Sequence, residues 1–126
     1  MNFKISIVYI VIVITLIQLS CSDASKEMIP GRYSMNGNSI DSIFIYNNGT
    51  YKQKYIASDA NIFYNSGSWR FNVTRIVFDD FIFFNDQGPK NRRGGYWDSE
   101  VRLANKKEVR LIYSSEDDIY YYKDEK

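Results

Sequence analysis

The chain has no histidine and only one cysteine, Cys21, among its 126 residues. Without imidazole or paired thiolates, the usual zinc and copper sites cannot be built. His-based catalytic triads and an intramolecular disulfide are excluded on the same count. Neither sign of charge is in excess. Sixteen Lys and Arg stand against fifteen Asp and Glu, and Lys4 is the only charge in the first twenty residues. The remaining 106 residues therefore carry fifteen charges of each sign. Such a balance lacks the basic face that nucleic acid selects, and it argues equally against a polyanionic role. Long apolar runs are scarce too. The only one, residues 5–17, has thirteen residues, short of the ~20 that a membrane-spanning helix needs. Beyond it, no apolar pattern repeats at the 3.6-residue spacing of an amphipathic helix.

What the N-terminus does hold is a basic start at Lys4, that short apolar run, and then Gln18-Leu19-Ser20-Cys21. A thirteen-residue run fits the ~7–15 residues of a signal-peptide core, which predicts a helical signal segment over residues 1–20. Leu19-Ser20-Cys21 resembles a bacterial lipobox. Gln18 departs from the Leu, Val or Ile usual at its position. The resemblance implies that Cys21 is diacylated, becomes the first mature residue, and anchors the chain to a membrane of the bacterial cell envelope. Acylation also removes the liability of a lone exposed thiol, and more than one acyl chain makes an anchor stable. In families with a sorting rule, Ser22 after the cysteine implies the outer membrane. Residues 21–29 then read as lipidated cysteine and polar tether, and residues 30–126 as one domain. The alternative is an ordinary secretory signal with a chance cysteine near its end.

Of the 106 residues after Ser20, nineteen are Tyr, Phe or Trp. With Ile and Val they favour pleated, half-buried surfaces, so the fold class is all-β. Residues 40–46 and 50–56 flank Asn47-Asn48-Gly49 and predict a hairpin, with Gly49 supplying a positive φ. A three-residue turn there places Ile43, Ile45, Tyr51 and Tyr55 on one face and Phe44, Lys52 and Lys54 on the other. Residues 63–71 continue as a strand with a bend at Asn65-Ser66-Gly67. Residues 76–84 form the most apolar stretch, interrupted by Asp79-Asp80. Adjacent strand residues face opposite ways, so that pair predicts a bulge or corner, bridged to Arg70 or Arg75. Residues 85–95 make the longest turn-rich segment. Residues 96–103 and 109–113 predict a second hairpin, with Val101, Leu103, Val109 and Leu111 on one face. Residues 119–123 are the closing strand. About eight strands joined by short turns predict an antiparallel meander closed into a barrel, which leaves no free edges.

Several landmarks come in a telling order: Gly31-x-Tyr33, Asn48-Gly49-Thr50-Tyr51, Gly67-Ser68-Trp69, Gly95-Tyr96-Trp97 and Tyr120-Tyr121-Tyr122-Lys123. Together they resemble small bacterial lipoproteins with lipocalin-like barrels. The resemblance implies a barrel and, for some members, binding of small apolar molecules; it carries no catalytic residues. Tyr51, Tyr55, Trp69 and Trp97 are the candidate ligand-stacking residues, against the plainer reading that they are core or rim anchors. Lys90, Arg92 and Arg93 form a basic loop that could meet lipid headgroups or an acidic partner, or simply be solvated. An enzyme built without histidine or thiol needs two converging carboxylates or a Ser–Lys pair, and the spacing suggests neither. The expectation is a lipid-anchored envelope protein with a non-catalytic binding domain, without metal or cofactor, for a small apolar ligand. The alternative is a protein–protein inhibitor or immunity-type envelope protein.

Overall fold

The computed structural model describes residues 24–124. The predicted signal helix over residues 1–20 and the predicted lipidation site Cys21 lie outside the described residues. Eight strands close into one antiparallel barrel: β1 (Gly31–Met35), β2 (Asn38–Ile45), β3 (Thr50–Ile56), β4 (Ile62–Asn72), β5 (Arg75–Asp79), β8 (Tyr96–Ala104), β9 (Glu108–Ser114) and β10 (Ile119–Asp124). The order around the barrel is a meander, with β1 pairing β10 to complete it. Between β5 and β8 lies a separate two-stranded ladder, β6 (Phe84–Asn85) and β7 (Gly88–Pro89).

The first hairpin follows its sequence pattern. The Tyr46 N–H donates to the Thr50 carbonyl at 2.9 Å, and Gly49 takes φ +88° at the end of the three-residue turn. Ile43, Ile45, Tyr51 and Tyr55 all face inward and are buried. The second hairpin does the same with Val101, Val109 and Leu111. Outward positions carry Lys52, Arg70, Arg75, Asp98 and Arg102, all exposed. Apolar inside and charged outside is the reverse of a transmembrane barrel.

Aromatic rings run across the lumen. Tyr51 meets Phe78 edge-on at 4.9 Å, Phe78 stacks on Trp97 at 5.5 Å, and Trp97 touches Phe81 at 4.8 Å and Tyr121 at 5.7 Å. An eight-stranded barrel is just wide enough for side chains or one small ligand. Here the rings occupy its centre.

Both ends are covered. At one end Ala24 and Ile29 are buried and a 3-10 turn spans Lys26–Met28. The Tyr33 hydroxyl donates to the Ile29 carbonyl at 2.6 Å, and Lys123 Nζ donates to the Met28 carbonyl at 2.9 Å. The packed structure thus includes residues from the stretch expected to be a polar tether. At the other end the chain leaves β5 at Asp79 rather than continuing as a strand to residue 84. The predicted corner is Asp80, at φ +58°. Arg70 pairs with Asp79 at 2.8 Å, as one of the two predicted bridges, and Arg93 lies 3.7 Å from Asp80.

The turn at Asp80 sends Phe81, Ile82 and Phe83 into the barrel mouth. Burying rings there also buries backbone polar groups, which need partners. Three side-chain amides supply them. Gln53, fully inside the barrel, donates to the Ile82 carbonyl at 2.7 Å and accepts from the Ile82 N–H at 3.1 Å. Asn91 accepts from the Phe83 N–H and donates to the Phe81 carbonyl. Asn65 donates to Gln53 Oε1 and to the Asp80 carbonyl, both at 2.7 Å. These amides stand in for a strand that the sheet does not provide.

β4 shows no bend at Asn65-Ser66-Gly67; it pairs with β3 without a register break from Ser68 to Ile62. The turn-forming residue types serve packing instead. A Cβ on Gly67 would collide with the Asp79 carbonyl and lie 2.9 Å from the Tyr51 ring. Only glycine permits that approach.

Candidate binding groove

The four residues expected to stack on a ligand are engaged by neighbours. Tyr51 is 1% exposed and its hydroxyl donates to the Asp79 carbonyl at 2.6 Å. Burial, with the charges of Asp80 and Asp79 nearby, pushes that phenol well above its ordinary range. Trp97 is wedged among Phe78, Phe81 and Tyr121. Trp69 is buried and its indole N–H donates to the Tyr46 carbonyl at 2.7 Å. It lines a pocket of about 400 Å³ together with Lys26, Glu27, Pro30 and Asn47. Tyr55 lies at the mouth, parallel to Phe84 at 5.9 Å, its hydroxyl 3.1 Å from Asp86 Oδ1.

A second recess, of similar volume and open to solvent, lies beside the first half of β4 where β5 turns away, and the inward-facing Phe63 and Asn65 reach it. It is a groove of about 420 Å³. Phe63, Ile82, Phe84 and Pro89 make its apolar floor, and Arg92 and Arg93 stand over it. Its shape follows from the same mouth segment. Gln53 and Asn91 hold the backbone at residues 81–83, so Phe84 emerges beside β4 and stacks on Phe63 at 5.9 Å. Gly88, at φ +108°, closes the tight β6–β7 turn, where a Cβ would lie 3.5 Å from the Phe63 ring. Arg93 bonds the Ser66 carbonyl at 3.2 Å besides its contact with Asp80. Arg92 has no ion pair among the described residues. On the rim Tyr64 is 57% exposed, with Lys52 Nζ 4.9 Å above its ring. Rings below and guanidinium groups above suit an apolar side chain that travels with negative charge.

At the mouth, Asp41 shares inward parity with Ile43 and Ile45. Burial pushes its carboxyl up to about 6, and a hydrogen bond from the Tyr121 hydroxyl pulls partly the other way. Tyr121, deeply buried beside it, is held well above the ordinary phenol range. Among the described residues no group of three or more Asp or Glu side chains converges to hold a metal ion.

Arg92 and Arg93 are visible in the sequence as a basic loop, but their apolar floor is not. Phe63, Ile82 and Phe84 were read only as strand residues, because nothing local shows that residues 81–84 come back against β4. No protein-family model matches the chain, and no curated protein or solved structure matches it either.

Proposed function

We propose that the chain is a lipid-anchored protein of the bacterial envelope, held at the outer membrane through Cys21, whose barrel binds another envelope protein without catalysis, metal or cofactor. The lipobox-like Leu19-Ser20-Cys21 supports the anchor, and the closed eight-stranded meander supports a lipocalin-like architecture. One observation carries the choice of partner. The rings expected to line a ligand cavity are packed against one another, whereas the groove beside β4 opens to solvent and Tyr46, Tyr64 and Tyr96 are exposed on the outer face. Tyrosine is enriched at protein interfaces. A carrier for a small apolar ligand in the lumen is the second reading, resting on barrel closure alone.

Native mass spectrometry of the protein released in mild detergent from its own cells tests the choice. The expected spectrum shows acyl chains on Cys21 and a stoichiometric partner protein. A tightly held small molecule instead would overturn the surface-binding reading. In parallel, Cys21→Ala should move the protein out of the membrane fraction; continued membrane association would overturn the anchor.

A further inference from the structure

Closure of the barrel hides one open strand edge. The Tyr46 N–H bonds the Thr50 carbonyl across the first hairpin. In an antiparallel ladder, bonded and non-bonded pairs alternate. The β3 residues that bond β2 are therefore Thr50, Lys52 and Lys54, and those that bond β4 are Tyr51, Gln53 and Tyr55, opposite Gly67, Asn65 and Phe63. The Trp69 N–H bond to the Gly49 carbonyl agrees with that phase. On β4, the N–H and C=O groups of Ile62, Tyr64 and Ser66 consequently point away from β3.

What they point toward is the groove. β5 is the next strand, but it pairs only with Trp69–Asn72 of β4 before turning away at Asp80. Among the described residues no strand pairs with Ile62–Ser66 on that side. Arg93 reaches the Ser66 carbonyl; Ile62 and Tyr64 have no ladder partner there. Edges left open are normally short, or guarded by lysine, proline or a covering loop. Here the edge residues Ile62 and Tyr64 are 47% and 57% exposed, and an apolar groove runs beside them. Cations outnumber acids around it. Arg92 and Arg93 stand on one side, and Lys52 and Lys54 lie opposite Ser66 and Tyr64 on the other. Of the acids nearby, Asp79 pairs with Arg70 and Asp80 with Arg93, while Asp86, two residues beyond Phe84, accepts from the Tyr55 hydroxyl and the Ser58 N–H.

We propose that the β4 edge at Ile62–Ser66 accepts an extended, acidic segment of a partner protein as an added strand, with one apolar side chain of that segment seated between Phe63, Phe84 and Pro89. Main-chain hydrogen bonds supply affinity in this mode and alternate side-chain pockets supply selectivity. The groove's spacing beside the edge gives the pocket, and Arg92, Lys52 and Lys54, none in an ion pair among the described residues, give the sign. The proposal rests on the surface-binding reading and names the mode and chemistry of the contact.

The test uses the full chain in detergent micelles, labelled with ¹⁵N. The probes are two heptapeptides with the same alternating Val and Phe, one with Glu and the other with Lys at the intervening positions. Shifts and slowed amide exchange are expected at Ile62, Tyr64 and Ser66 with the Glu peptide. It should bind at least about tenfold more tightly than the Lys peptide, and less tightly as salt rises. Tyr64→Pro removes an edge N–H that the barrel ladder does not use, a substitution that edge strands tolerate, and should abolish binding. Should that variant fail to fold, Arg92→Glu, on a side chain without an ion pair, should weaken binding by about tenfold. Equal binding of both peptides, shifts away from β4, no binding of either, or full binding by a folded Tyr64→Pro or Arg92→Glu variant would each overturn the proposal. A protein partner still found by native mass spectrometry would then leave the surface-binding reading standing, with its contact elsewhere. A small molecule found in its place would remove both.

Discussion

Asp41 and Gln53 are two polar side chains set by strand parity inside an apolar barrel, and the barrel treats them differently. Gln53 is satisfied on both its oxygen and its nitrogen by Ile82 and Asn65. Gln53→Leu removes every one of those partners, and a buried backbone group left unpaired costs about 1–3 kcal/mol. Urea denaturation should show a loss of at least about 2 kcal/mol, and a near-neutral effect would mean that residues 81–83 do not depend on the amide. Asp41 is a carboxyl that burial holds up to about 6, against an ordinary value of 3.8. A raised acid favours the native state in its neutral form. That stability is complete below about pH 4 and is lost as pH rises through 6, up to about 3 kcal/mol in total. Unfolding measured from pH 4 to pH 7 should show this loss in the unaltered protein relative to Asp41→Asn. Parallel pH curves for the two would contradict it. Both inward positions were legible, since the alternation that puts Ile43 and Tyr51 inside puts Asp41 and Gln53 there too. Their partners were not. Ile82 is 29 residues from Gln53, and no local pattern spans that distance.

At the scale of elements, the hairpins were readable because turn chemistry and hydrophobic alternation agree with each other. Asn47-Asn48-Gly49 sets the register, and the register puts the same residues inside that the alternation does. The reading failed where residue type and tertiary role diverge. Asn65-Ser66-Gly67 has the composition of a turn, yet it is unbroken strand: Asn65 bonds inward, and Gly67 makes room for Tyr51 and the Asp79 carbonyl. Residues 76–84 look like one apolar strand, yet the corner at Asp80 divides them into a strand and a plug. Adjacent carboxylates signalled the corner. Nothing in the sequence signalled that the rings beyond it would fold back into the mouth, because their backbone partners come from β3, β4 and Asn91.

For the whole molecule, an eight-stranded barrel followed from counting strands and turns, but not what fills it. Tyr51, Tyr55, Trp69 and Trp97 are the residue types that a ligand cavity or a core would both use, and sequence alone does not separate the two. In the structure, Phe78, Phe81 and Trp97 lie within 4.8 to 5.6 Å of one another at the centre. The surface-binding proposal places recognition outside this packed lumen, where the groove and the open β4 edge lie side by side. Aromatic side-chain NMR of the full chain, with Tyr51, Phe78 and Trp97 observed during titration with a medium-chain fatty acid, tests that claim most directly. These resonances are expected to stay in place, whatever occurs at the groove beside β4. Saturable shifts confined to the three inner rings would show a ligand entering the lumen and would contradict it.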